Sequence, residues 1–152
     1  MKEGTEVGTT AGSAAENSGS RTNAARLGFK PGQVLQEFGY DEDVDDDLRA
    51  ELEAIIGSDL ADEDVQDVVD GVVYWWREGD GDLVDGLVDA LTNLVEGGVI
   101  WLLTPKAGRP GHVEPSDIED AAPTAGLHAT STVTASADWT GTRLASPKGS
   151  RR

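Results

Sequence analysis

Leu48, Leu52, Ile55 and Ile56 recur at the i, i+4, i+7, i+8 spacing of a single helix face, and Gly57 follows where a left-handed cap is wanted. A helix is therefore expected to start near the aspartates at 45–47 and to stop at Gly57. Residues 33–38 (QVLQEF) carry Val34, Leu35 and Phe38 as apolar members of a short strand, after a helical lead-in and a turn at Pro31-Gly32. A β-branched and aromatic run at 71–76 (GVVYWW) reads as a buried strand and leads into the polar loop REGDGD. Leu83, Val84, Leu87, Val88, Leu91, Leu94 and Val95 form a wide apolar stripe at helical spacing, and Gly97-Gly98 is expected to end that helix. Residues 99–104 (VIWLLT) are continuously apolar, as in a strand covered on both faces.

The loop TPKAGRPGHVE then precedes a helix that begins at Pro115, a favourable first position, and that Pro123 shortens or kinks. Residues 128–135 and 139–146 alternate as strands about a turn at Asp138, so they must run antiparallel to each other. Strands alternating with helices imply an α/β domain in three layers, with a mostly parallel sheet ending in an antiparallel β-hairpin.

Composition sets the limits of that domain. The chain has 152 residues and a mass of 16.0 kDa, enough for one core. Residues 1–22 are rich in Gly, Ser, Thr, Ala and Glu without periodicity. They read as a disordered tail before a single domain at 23–148, with a second short tail at 149–152. The absence of cysteine excludes disulfides, thiolate nucleophiles and Cys-ligated zinc. The N-terminus has no apolar signal region, and the runs VVYWW and VIWLL are too short to span a bilayer. A soluble, cytoplasmic protein is expected.

Charge is segregated along the chain. Residues 41–96 hold 20 acids against only Arg49 and Arg77, so nearly all of the formal net charge of −17 originates there. Such a field repels nucleic acid and anionic membranes and attracts basic proteins or cations. The densest stretch is DEDVDDD, in which Asp41, Glu42, Asp43, Asp45, Asp46 and Asp47 are six carboxylates in seven residues. Asp41, Asp43 and Asp45 have the spacing of a calcium loop. An EF-hand, however, needs Gly at the sixth position and Glu at the twelfth, which here are Asp46 and Leu52. Asp45, Asp46 and Asp47 instead suit a helix N-cap and the positive end of its dipole. The acid beyond what a cap requires serves either solubility or a partner face, and no metal is expected.

Four stretches carry a resemblance: DEDVDDDLR, VVYWWREGDGDLVDGLVDAL, GGVIWLLTPKAGRPGHVEPSDI and DWTGTRL. Together, over about residues 23–148, they look like an actinobacterial family called domain of unknown function 3052, a resemblance that implies a fold more than an activity. The order of elements is also similar to the C-terminal half of class I methyltransferases, which implies a Rossmann-like sheet. Those enzymes hold adenosylmethionine on a Gly-rich loop after the first strand, where backbone must approach the cofactor closely. Here only Gly39 stands in that place, followed by Tyr40 and the acid run. The resemblance therefore implies a fold without its usual cofactor site, and no cofactor is expected.

No P-loop, G-x-S-x-G or H-E-x-x-H is present, and His112 and His128 are not at ligand spacing. One constellation remains. Ligands of open α/β sheets sit beyond the carboxyl ends of the strands. Trp76 and Arg77 end one strand, while Lys106, Arg109 and His112 follow another. An antiparallel last strand would bring Trp139 and Thr140 to the same rim. These residues could form an anion or nucleotide pocket; equally, the bases could answer neighbouring aspartates. The function expected first is non-enzymatic binding of a basic protein through residues 41–96. The alternative is a small-molecule or anion-binding protein, or a divergent methyltransferase-like enzyme, that uses the rim.

Overall fold

The computed structural model describes residues 22–147. Five strands form one sheet: β1 (Leu35–Phe38), β2 (Val69–Trp75), β3 (Leu94–Pro105), β4 (His128–Thr134) and β5 (Trp139–Ala145). Their spatial order is β1-β2-β3-β5-β4, with β1, β2 and β3 parallel and β5 antiparallel to both of its neighbours. Three α-helices, α1 (Asp46–Ile56), α2 (Leu83–Leu91) and α3 (Pro115–Thr124), connect them. The three-layer α/β architecture with a closing hairpin is thus present. The tails expected at 1–22 and 149–152 lie outside the described residues except for Thr22, which bridges Ser136.

Strand alternation divides the core between the two faces of the sheet. On one face Val72, Trp76, Ile100, Leu102 and Leu144 pack with Leu87 of α2 and Ile118 of α3. On the other, Val73, Trp75, Trp101, Leu103 and Trp139 pack with Leu48 and Leu52 of α1. Helix α1 starts and stops as its sequence predicts. Asp45 accepts a hydrogen bond from the Leu48 N–H at 2.9 Å, and Gly57 takes φ 85° at the other end.

The segment after α2 departs from expectation. The helix ends at Leu91, and Leu94 already pairs with Val69. The backbone is drawn off by non-local bonds, since the Asn93 carbonyl accepts from Val69 at 2.9 Å and its side chain donates to the Val65 carbonyl at 2.8 Å. Gly97-Gly98 consequently lies inside β3 and does not stop a helix. A Cβ on Gly98 would stand 2.6 Å from a Leu94 methyl and 3.0 Å from the Asp70 carbonyl, so the crossing tolerates no side chain there.

Candidate functional site

The carboxyl ends of β1, β2 and β3 meet the start of β5, because Thr104 pairs with Thr140 and Pro105 with Trp139. Arg77, the first residue of the loop after Trp76, ties this edge together. Its Nη1 donates to the carbonyls of Gly39 at 2.8 Å and Trp75 at 3.2 Å. Its Nε donates to Asp43 at 3.0 Å, and Nη2 donates to the second oxygen of the same carboxylate. Asp80 adds a looser ion pair at 3.5 Å, and the guanidinium lies 5.4 Å from the ring centre of Trp139. Burial works against the charge on Arg77. The hydrogen bonds and charges of Asp43 and Asp80 outweigh it and raise the pKa above its ordinary value. The hydrogen bond from Arg77 correspondingly lowers the pKa of Asp43.

Gly39 is held where only glycine fits. It has φ 77°, and a Cβ there would stand 2.1 Å from the Trp75 carbonyl oxygen. The chain after β1 is therefore pressed against β2 at the point where a ligand-binding loop of this topology would open. Beneath it lies Glu37, only 6 % exposed. Arg49 of α1 grips it with two bonds, at 2.6 and 2.9 Å, and the Trp75 indole donates to it at 2.9 Å. The hydrogen bond to Glu37 raises the Arg49 pKa, and Arg49 in turn covers the ring of exposed Tyr40 at 4.8 Å. The sequence reading named Arg77 at the rim but missed Glu37 and its pair with Arg49, whose signal was a lone base in an acidic third.

The predicted rim residues separate. Trp76 turns to the α2 face and touches the position of Gly86, where a Cβ would meet its ring at 2.8 Å. Trp139 is buried edge-on against Trp75, with ring centres 4.8 Å apart. Arg109 pairs with Asp138 at 3.2 Å, and together with Asp43 and Trp139 they line a cleft of about 190 Å³. The Lys106 backbone donates to the Asp138 carbonyl at 3.0 Å. Thr140 and His112 line a second cleft of about 180 Å³ with Thr104, Thr142, Pro115 and Ile118. His112 Nδ1 lies 2.9 Å from the Pro105 carbonyl, which can only accept, so that nitrogen carries a proton. Its Nε2 is 3.5 Å from Glu114.

The acidic stretch also divides. Asp43 faces Arg77, Asp45 caps α1, and Asp41 accepts from the Glu42 N–H at 2.8 Å. The spaced carboxylates Asp41, Asp43 and Asp45 therefore have separate partners. Asp41, Glu42, Asp46 and Asp47 are exposed. A further acid-bearing segment, residues 57–68, lies along β1, with Asp59, Asp62, Glu63, Asp64 and Asp67 exposed. Among the described residues no helix is long and apolar enough to cross a membrane.

Solved structures with a similar fold include methyltransferases. A SAM-dependent methyltransferase from Aquifex aeolicus aligns with a TM-score of 0.56 at 10 % identity, covering 83 % of this chain and 90 % of that one. The 1,6-didemethyltoxoflavin-N1-methyltransferase of Burkholderia thailandensis, solved with S-adenosylhomocysteine, aligns with a TM-score of 0.52 at 11 % identity, covering 82 % and 74 %. At such identity the likeness is one of fold. In sequence, the uncharacterized proteins Rv2239c of Mycobacterium tuberculosis and Mb2263c of Mycobacterium bovis are each 54 % identical over 125 residues, which is 82 % of this chain and 78 % of theirs. The model of the family described as "Protein of unknown function (DUF3052)" matches residues 24–148, and the chain belongs to that family.

Proposed function

We propose that this is a non-enzymatic cytoplasmic protein that binds a basic protein partner through the acidic surface built from residues 41–96. One observation carries the reading. The only two cations of that segment are both turned inward, Arg49 onto Glu37 and Arg77 onto Asp43 and the ends of β1 and β2. The exposed carboxylates of Asp41, Glu42, Asp46 and Asp47 are therefore left without a local base from that segment to neutralise them. Fields of this kind accelerate encounter with a partner of opposite charge and weaken with salt. The partner is accordingly one with a cluster of lysine or arginine. The test is capture on immobilised full-length protein at low and high salt, beside the variant Asp41→Asn/Glu42→Gln/Asp46→Asn/Asp47→Asn. The same basic protein should be retained by the wild type at low salt, released at high salt, and lost from the variant. Equal capture by the variant would refute the assignment.

A second reading draws on the cleft between Arg109, Asp138 and Trp139 at the carboxyl edge of the sheet. It is the place where α/β sheets bind small molecules. In this reading the chain is an anion or small-molecule binder, or a divergent methyltransferase-like enzyme, with Lys106 and Arg109 supplying charge. Arg77, Trp76 and Trp139 contribute less to it, since the first is paired and the other two are buried.

A further inference from the structure

Two neighbouring strands change chemistry as they reach the carboxyl edge of the sheet. On the face that carries α2 and α3, β3 presents Ile100, Leu102 and then Thr104, while β5 presents Leu144, Thr142 and Thr140 in the opposite direction. Thr104 pairs with Thr140 and Leu102 with Thr142, so the threonines adjoin one another. Thr104 is 2 % exposed and Thr142 7 %. At positions so covered, valine would fill the space without polar cost, whereas a buried hydroxyl costs free energy unless it is hydrogen-bonded. Neither hydroxyl has a hydrogen-bond partner among the described residues. Neither is sealed off, since only Gln36 Oε1 and Ser136 Oγ are both enclosed and unpaired among those residues. Both therefore open onto the cleft of about 180 Å³ that they line with Thr140, His112, Val113 and Ile118.

The lining fixes the class of ligand. It contains no Lys, Arg, Asp or Glu, and the chain has a formal charge of −17, so an anion is neither held nor attracted. An ammonium group finds no carboxylate in the wall. A hydroxyl both donates and accepts, so the threonines match a ligand whose own groups do the same. His112 adds an acceptor, because Nδ1 holds its proton on the Pro105 carbonyl at 2.9 Å and leaves Nε2 of the neutral ring with a free lone pair. Val113 and Ile118 offer apolar contact to the carbon skeleton. The cleft is smaller than the roughly 300 Å³ at which pockets for drug-sized molecules begin, and suits about ten non-hydrogen atoms.

We propose that this cleft binds a small uncharged polyol, of the size of a pentose, through the hydroxyls of Thr104, Thr140 and Thr142 and Nε2 of His112. None of these residues lies within 41–96, so the site is independent of the acidic surface. It is also lined by different residues from the cleft beside Arg109 and Asp138. No aromatic ring stands in its wall, so affinity rests on hydrogen bonds and is millimolar.

Titration of the full chain with free ribose to about 50 mM, followed in nitrogen–proton correlation spectra, tests the proposal. Saturable shifts should centre on Thr104, His112, Thr140 and Thr142. Thr104→Val and Thr142→Val keep the branched shape and the strand preference, and each should weaken binding about five- to tenfold. Neither should lower the melting temperature, because neither hydroxyl is bonded within the fold. Ribose 5-phosphate, which adds negative charge, and cyclopentanol, which keeps one hydroxyl, should each bind about tenfold more weakly than ribose or not at all. Absence of saturable shifts with ribose, equal or tighter binding of ribose 5-phosphate or cyclopentanol, or affinity undiminished in both valine variants would each overturn the assignment. A fall in melting temperature in both variants would do so as well, since the hydroxyls would then serve the fold.

Discussion

The Arg77 guanidinium donates to the Gly39 carbonyl at 2.8 Å, across 38 residues of chain, and so fastens the end of β1 to the loop that leaves β2. With the bonds to Trp75 and Asp43, this one side chain closes the edge at which a sheet of this topology would open to a ligand. The acidic loop lies over that edge because Asp43 is its anchor.

Arg77→Ala should therefore act on stability. It leaves two carbonyls and one carboxylate without their donor, and a loss of about 2–3 kcal/mol is expected. Asp43→Asn keeps the shape and removes the charge. The pKa of Asp43 is lowered in the folded state, so its contribution is present above the unfolded value and is lost as pH falls through the folded one. Urea unfolding from pH 7 downward should show an acid-side slope that is shallower in Asp43→Asn. Identical slopes would mean that the pair does not contribute to folding.

Gly39→Ala and Gly32→Ala form a matched comparison. Both glycines have positive φ, 77° and 87°, so both substitutions carry backbone strain of about 1–2 kcal/mol. At Gly32 a Cβ meets nothing within 4 Å, whereas at Gly39 it would lie 2.1 Å from the Trp75 carbonyl. Gly39→Ala should cost clearly more, and thermal denaturation should rank the two. Equal costs would show that the chain after β1 has room to move.

Helix α1 was legible because everything that defines it is local: apolar spacing, a capping aspartate and a terminal glycine. The stretch at 91–98 was not. Leu94 and Val95 continue the helical stripe of α2, and only bonds to Val69 and Val65, more than 20 residues away in sequence, turn them into a strand. Glu37 was missed for a related reason. In a four-residue strand its alternation with Leu35 points it inward, but its partners Arg49 and Trp75 stand 12 and 38 residues distant. The antiparallel pairing of β3 with β5 brings Trp139 and Thr140 to the carboxyl end of β3. Which face each side chain takes there depends on strand phase, and phase separated Trp76 from Trp139.

Tyr74 offers an alkaline test of the α2 face. Burial against Phe38 and Trp76, and then the charges of Asp89, Glu63 and Asp80, push its pKa up to about 12. The folded state therefore holds the phenol proton after the unfolded chain, near pH 10, has lost it. Between these values the native state binds more protons, so stability falls as pH rises. Ultraviolet titration should show one tyrosine ionising late, and Tyr74→Phe should flatten the decline in stability over the same range. An early titration of Tyr74 would place it in contact with water.

The last prediction separates the two functional readings. In folds of this kind a nucleotide-like cofactor needs backbone that can yield after the first strand, and a helix start that favours its charge. Here Gly39 is pinned between Trp75 and Arg77, and α1 begins with Asp45, Asp46 and Asp47. The carboxylate of adenosylmethionine would meet that cluster of acids, and no basic residue of 41–96 faces outward to offset it. Titration calorimetry should accordingly give no micromolar binding of adenosylmethionine, and Lys106→Ala/Arg109→Ala should leave that result unchanged and the fold intact. Both residues lie in the turns after β3, and Arg109 is half-exposed in its pair with Asp138, so their removal costs the fold at most about 1 kcal/mol. The double variant should also capture the same basic partner, since neither side chain belongs to the acidic surface. Micromolar adenosylmethionine binding by the wild type would favour the enzyme reading. If that binding vanished in the double variant, the cleft beside Asp138 would be its seat; if it survived, the edge closed by Arg77 must open in solution.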